Sequence, residues 1–402
     1  MKTTVRHVFT FMVLSMATLH CALDRDGSAL FGADGGSAGG GGDGLGNGAG
    51  GAGTAGGNVV GASSSSSGQG GSTSSPARRV EITFDNQSGP AIDDFPLLVR
   101  LDATRIEYAR TSPNGADLRF VDADGITVLP HEVEAWNPDG ISFVWVLVPD
   151  IDATSTDHIF MYYGDPAAGV APDPLKLWKS FVGVYHLSGS TTVGFDNSPS
   201  AHHGTVNGNV TTDMNGRIGE GISLGGSGRI DLTGVDQFSA DMGQVRTVEA
   251  WYSTTHMAAQ RLFSQESNCL GFGMTLGTTN IRYRGSLFTG GGCGTHQPFY
   301  AQTNDATADG QWHYVTMVLD RPGSEIRLYL DGMLATSNSI GNGNDAHSAN
   351  AWIGSAFDGN SAFQGRMDEF RVASKNRSAG WIAAQNRSVR DQFVTYGAPQ
   401  MP

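Results

Sequence analysis

The sequence predicts an all-β protein of two β-sandwich domains, and three observations carry that expectation. In the stretch from Gln311 to Ala373, Ile326, Leu328 and Leu330 fall on one face of a run whose other face holds Arg327 and Tyr329. That period of two is the pattern of a half-buried strand. Asp331-Gly332 then separates this run from the next, and Asp-Gly favours a tight type I′ hairpin. Short apolar runs bounded by Gly, Pro, Asn and Asp also recur from Val80 to Tyr163, the spacing of a sandwich. One run departs from a clean pattern: Tyr314, Thr316 and Val318 alternate with His313, Val315, Met317 and Leu319, so both faces are mixed.

The chain has 402 residues, room for two folded domains and extra segments at roughly 150 residues per domain. Charged residues make up only 16%, there are 57 glycines, and the formal net charge is −14. An acidic balance argues against nucleic acid as a partner, because phosphate backbones demand clustered Lys and Arg. It suits cation binding or plain solubility.

Taken in order, residues 1–21 read as a signal peptide: Lys2 and Arg6 precede an apolar core from Val8 to Leu19, too short to span a bilayer. Cys21 stands where a bacterial lipoprotein carries its lipid, which would attach the protein to the outer membrane. The preceding Thr18-Leu19-His20 departs from the lipobox pattern, so ordinary cleavage stays an alternative. Residues 22–77 are rich in Gly, Ala and Ser, with the run Ser63–Ser67; they bury too little to offset their ordering entropy and read as a flexible tether. An export signal followed by a tether predicts a secreted or cell-surface location. In an oxidising compartment the remaining cysteines, Cys269 and Cys293, are expected to form a disulfide worth roughly 3 kcal/mol, with two separate thiols as the alternative.

Residues 78–166 form the first expected sandwich, opening with Val80, Ile82 and Phe84 facing inward. In its run from His131 to Trp136, Glu132 and Glu134 share one face. Paired carboxylates can serve as acid and base, but the surrounding pattern reads as a solvated strand. Residues 167–176 read as a Pro-rich linker, and residues 177–397 as the second domain. Near its end Ser378 is placed to cap a short helix through Gln385, with Trp381, Ile382 and Gln385 on one side.

Two resemblances sharpen this reading. Trp312-His313-Tyr314-Val315, Leu328-Tyr329-Leu330-Asp331-Gly332 and Met367-Asp368-Glu369-Phe370-Arg371-Val372 resemble the signature of laminin-G-like jelly rolls with the concanavalin A-type fold. The resemblance implies two packed sheets, display outside the cell and common use in binding. Gly115–Phe120, His131–Trp136, Val144–Val146 and Met161–Gly164 resemble an extracellular module catalogued as domain of unknown function 2341, which often precedes laminin-G-like domains and carries no known chemistry.

Candidate sites follow. Asp196, in an early loop, and Asp368, on a late strand, could converge on a structural Ca²⁺, since chain ends pair in such sandwiches and hard cations want several oxygens. The alternative is that Asp196 orders its own turn and Asp368 accepts a backbone hydrogen bond. His202-His203 lacks a third ligand at zinc spacing. Neither Val248–Trp251 nor Met367–Phe370 fits the carboxylate strand of jelly-roll glycosidases. For a glycan, the insertion from Gly285 to Tyr300 offers Phe288, His296, Phe299 and Tyr300; covering the sandwich edge is the alternative role. The expected function is therefore a non-catalytic surface protein for binding or adhesion, with a glycan or extracellular protein as ligand. A glycoside-acting enzyme or its accessory subunit, and a structural spacer of the envelope, are the alternatives.

Overall fold

The computed structural model describes residues 77–167, 169–238, 245–267, 270–277, 282–289, 297–340, 350–356 and 359–402. The signal peptide, Cys21, the tether, Cys269, Cys293 and His296 lie outside the described residues.

Alternation in the first module works as the sequence predicts. Val80, Ile82 and Phe84 are buried on strand Arg78–Phe84, which pairs antiparallel with His158–Tyr163 in a five-stranded sheet. A second sheet of three strands orders Ile92–Leu101, Ser142–Ile151 and His131–Ala135. The fifth strand of the first sheet was not foreseen. It is Val394–Tyr396, from the far end of the chain, which lays Tyr396 opposite Ile82.

Ser378 caps the helix Ala379–Val389, its hydroxyl accepting from the Trp381 amide at 3.2 Å. Trp381, Ile382 and Gln385 are all buried. Their partner is the first module: Trp381 meets Phe95 edge-on at 5.6 Å, and the Leu98 amide donates to Ser388 Oγ at 2.9 Å. The stretch expected as a linker is docked too. It ends in the short helix Pro174–Leu177, the Asp173 amide donates to the His131 carbonyl at 2.9 Å, and Leu177 and Trp178 are buried. Both modules therefore belong to one compact unit.

The second module is a sandwich of an eight-stranded and a seven-stranded sheet. Asp331 (φ 50°) and Gly332 (φ 83°) both adopt left-handed backbone between strands Glu325–Leu330 and Met333–Ser339, the type I′ geometry expected of that pair. Val248, Ala250, Tyr252, Val315, Met317 and Leu319 fill the core between the sheets. Trp251, Tyr314, Val318 and Tyr329, on the opposite face of the eight-stranded sheet, join a second core shared with the first module. That explains the mixed faces of the 313–319 run: this sheet is covered on both sides, so neither face needs to be polar.

Replacing Ser388 with Ala leaves the buried Leu98 amide unpaired, so Ser388→Ala should cost about 1–3 kcal/mol. Urea melts followed by tryptophan fluorescence and by circular dichroism should shift together, because the two modules share a core.

Candidate functional site

The seam between the modules gathers the groups that chemistry would need. Glu132 and Glu134 share a face of strand His131–Ala135, as the sequence indicates, but that face is not solvated. Side-chain exposure is 12% for Glu132, 3% for Glu134, 8% for His186 and 0% for Glu369. The solvated-strand expectation fails because the start of the second module lies over this strand. Trp178 Nε1 donates to Glu132 Oε2 and Trp145 Nε1 to Glu134 Oε2, each at 2.6 Å, and the Asn197 amide donates to Glu132 Oε1.

His186, just past strand Phe181–Tyr185, sits among three carboxylates. Its Nδ1 lies 2.5 Å from Glu369 Oε1 and 3.7 Å from Glu134 Oε2, and its Nε2 lies 3.4 Å from Glu132 Oε2. Glu369 reaches inward from strand Gln364–Ala373 at an irregularity, with left-handed φ of 53°. Burial alone would lower the His186 pKa, but the charges of Glu369, Glu134 and Glu132 hold it well above the ordinary histidine range. Burial, reinforced by Glu369, pushes Glu134 well above the usual carboxylate range, and does the same to Asp368. Glu132 is lowered instead: burial opposes its charge, but His186 and its hydrogen-bond donors outweigh that.

Beside this group Arg371 is wholly buried, its Nε 2.8 Å from Glu249 Oε1 and its Nη1 3.7 Å from Glu369 Oε2. Neither contact makes a hydrogen bond, so charge and aromatic faces hold the guanidinium. Trp145 and Trp178 lie 4.9 and 5.6 Å from its centre. Tyr314 donates its hydroxyl to Glu249 Oε2.

A groove of about 850 Å³ runs along the seam. Arg100, Trp136, Asn137 and Phe143 line it from the first module, and Ser188, Met214, Asn215, Arg217 and Glu220 from the second. Trp136 stands edge-on to Tyr108 at 5.2 Å. It is seated on Gly115, where an added Cβ would come within 2.8 Å of the indole. The Arg217 guanidinium lies 4.9 Å over Trp251; burial, with the charges of Arg390 and Arg100, lowers it to about 10. The Nε atoms of both Arg100 and Arg217 are buried without a hydrogen-bond partner. Glu134 borders this groove and also a smaller cavity of about 170 Å³ beside His186.

The candidates read from sequence lie elsewhere. Asp196 accepts from the amides of Val184, Ser198 and His202 and from Ser198 Oγ, at 2.8–3.0 Å. Those four donors are shared between both of its oxygens. Asp368 accepts from the Ile218 amide at 2.8 Å. Each carboxylate makes hydrogen bonds of the kind named as the alternative, while Asp368 Oδ1 is buried without a hydrogen-bond partner. Phe288 lies on strand Arg282–Thr289, and Phe299 and Tyr300 lie on Gln297–Ala306. The register sets Leu287 opposite Phe299 and Ser286 opposite Tyr300, so the described parts of this insertion are paired strands, with Gln297–Ala306 at the edge of the seven-stranded sheet. Sequence reasoning missed His186, Glu369, Trp136, Arg100 and Arg217. The same-face pair Glu132 and Glu134 was the one signal that pointed to the seam.

Two family models match the chain. Residues 224–383 match the concanavalin A-like lectin/glucanases superfamily. Residues 114–183 match domain of unknown function 2341, a span that runs through the docked stretch into the first strand of the concanavalin A-like module. No curated protein gives a significant match. Among solved structures, one of botulinum neurotoxin type C, whose cell entry depends on two ganglioside molecules, is 13% identical over 52% of this chain and 51% of its own, with a TM-score of 0.41. The binding domain of Paraclostridial Mosquitocidal Protein 1 is 15% identical over 52% of each chain, with a TM-score of 0.43. The chain spans about half the length of these structures, and no site residue is carried across from them.

One outcome tests the seam and a second tests the far face of the strand that carries Glu132 and Glu134. Arg371→Leu strands the buried Glu249 carboxylate and should cost about 3–5 kcal/mol in chemical denaturation. Burial lowers His131 from 6.5 to about 4, so the unfolded chain takes up a proton in that window while the folded chain does not. The resulting stability is complete above pH 6.5, is lost as pH falls toward 4, and amounts to about 3 kcal/mol. His131→Gln should flatten the stability profile between those pH values, measured by urea titration at each pH.

Proposed function

We propose that the protein is an exported, non-catalytic binding protein that takes an acidic glycan in the groove between its modules. The observation that carries this reading is the groove's lining. Trp136 offers a rigid aromatic face, and Arg100 and Arg217 bring cationic guanidinium groups to the groove wall. Sugar rings pack on aromatic faces while a few fixed polar groups set orientation. Arginine is suited to carboxylates, which accept its hydrogen bonds in a planar pair. Asn137 and Asn215 add donors and acceptors for hydroxyls. The match of residues 224–383 to a superfamily of lectins and glucanases supports a carbohydrate ligand, and the leader and tether support display outside the cell.

Binding is favoured over glycoside hydrolysis by the way the seam carboxylates are held. Glu369 is wholly buried, and both oxygens of Glu132 accept hydrogen bonds from Trp178 and Asn197. An acid and a base flanking a scissile bond would have to face the substrate.

A glycan array probed with the full chain should retain glycans containing uronic or sialic acids over their neutral counterparts. Trp136→Ala and Arg100→Gln should each weaken that binding by about tenfold or more, roughly 1.4 kcal/mol, with the melting transition still cooperative. An array on which nothing is retained, or binding indifferent to both substitutions, would overturn the reading. Release of reducing sugar would replace it with a glycoside-acting enzyme.

A further inference from the structure

We infer that Glu134, His186 and Glu369 form a binding site for a divalent first-row transition ion of the zinc class, which ties the two modules together. Among the described residues these three bring one ligand atom each within 4.8 Å of one another. They come from strand His131–Ala135, from the residue after Phe181–Tyr185, and from Gln364–Ala373. One donor therefore belongs to the first module and two to the second.

The second observation is independent of that convergence. Glu134 Oε1 and Glu369 Oε2 are buried oxygens with no hydrogen-bond partner, on side chains only 3% and 0% exposed. An unpaired buried oxygen of a carboxylate is costly; Glu369 Oε2 has the Arg371 guanidinium 3.7 Å away, whereas Glu134 Oε1 is left for an added cation. The remaining bonds already have the form of an outer shell. Glu132 Oε2 lies 3.4 Å from His186 Nε2, so that nitrogen can keep donating to it when an ion replaces the proton that Nδ1 shares with Glu369 Oε1. Metal-bound histidines are oriented by a carboxylate in this way. Trp145 fixes the other oxygen of Glu134 at 2.6 Å.

Donor chemistry selects the ion. One imidazole nitrogen with two carboxylates suits zinc and its first-row neighbours, whereas Ca²⁺ takes oxygen alone. Ligands about 2.0–2.2 Å from a tetrahedral zinc stand roughly 3.4 Å apart. Nδ1 is 2.5 Å from Glu369 Oε1, so the fit asks for about 1 Å of opening there, and Glu134 would present Oε1, the neighbour of the Trp145-bound oxygen that lies 3.7 Å from Nδ1. The cavity of about 170 Å³ beside His186 and Glu134 supplies an entry path and a place for the fourth ligand, a water. This site is separate from the glycan reading and stands or falls without it.

The test titrates the full chain, stripped with chelator, with Zn²⁺, Co²⁺ and Ca²⁺ in turn. One equivalent of Zn²⁺ should bind and raise the melting temperature by about 4 °C at a hundredfold excess over Kd. Co²⁺ should bind with the visible d–d absorption of a nitrogen and oxygen ligand set, and Ca²⁺ should do neither. His186→Asn and Glu134→Gln should each lose the equivalent and the absorption, and Glu220→Gln, in the groove, should keep both. Glu134→Gln keeps the side chain's shape and its bond from Trp145, so it decides the matter should His186→Asn not fold. Absence of uptake at millimolar Zn²⁺, uptake unchanged in Glu134→Gln, or a preference for Ca²⁺ would overturn the assignment.

Discussion

The eight-stranded sheet is buried on both faces, and the architecture follows from how its second face is covered. One face is apolar and packs against the seven-stranded sheet in the ordinary way. The other carries Glu249, Asp368, Glu369 and Arg371, each at most 1% exposed. Withdrawing such charges from water costs several kcal/mol per ion. The face is tenable only because a covering layer brings partners with it: Trp145, Glu132 and Glu134 from the first module and Trp178 from the docked stretch. The first module is thus the lid that makes a charged sheet face stable, and the strand Val394–Tyr396 and helix Ala379–Val389 fasten that lid from the far end of the chain.

Charge at such an interface does more for geometry than for stability. A buried ion pair often gains little over apolar residues of the same shape, while breaking one leaves a stranded charge. Two sandwiches meeting through apolar faces could settle at several angles with little difference in energy. Here a shift of one residue along His131–Ala135 would turn Glu132 and Glu134 away from His186 and present His131, Val133 and Ala135 in their place. Trp145 and Trp178 sharpen the constraint. Each donates its indole N–H to a seam carboxylate and presents a ring to the Arg371 guanidinium, so one side chain answers both charges.

What could be read from the sequence was whatever a short window decides. The Asp331-Gly332 hairpin, the inward Val80, Ile82 and Phe84, and the Ser378 cap each depend on a handful of adjacent residues, and all three are found. The fate of Glu132 and Glu134 depends on His186 and Glu369, 54 and 235 positions on from Glu132 and Glu134 respectively, and no local pattern reports that. The alternation around the pair was seen correctly, but a strand covered by another module shows the same period as one facing water. The bonding of Asp196 was hidden for a related reason: a carboxylate that organises its own loop and one that binds a cation share a sequence context, and its backbone donors come from Val184, Ser198 and His202. Val394–Tyr396 was missed because three residues carry too little pattern to declare a strand.

The groove exists only while the modules are docked, since Trp136 and Arg100 come from one and Arg217 and Asn215 from the other. A ligand held there touches both and cannot bind either alone in the same way, so its binding free energy adds to that of docking. The same holds for any ion shared between Glu134 and the pair His186 and Glu369, a few ångströms behind the groove wall. Both would act on one equilibrium, the closure of the seam, and occupation of one would favour the other without direct contact between them. Closure is the state in which the charged sheet face is satisfied, so the covering layer that the fold requires is also the layer that walls the groove.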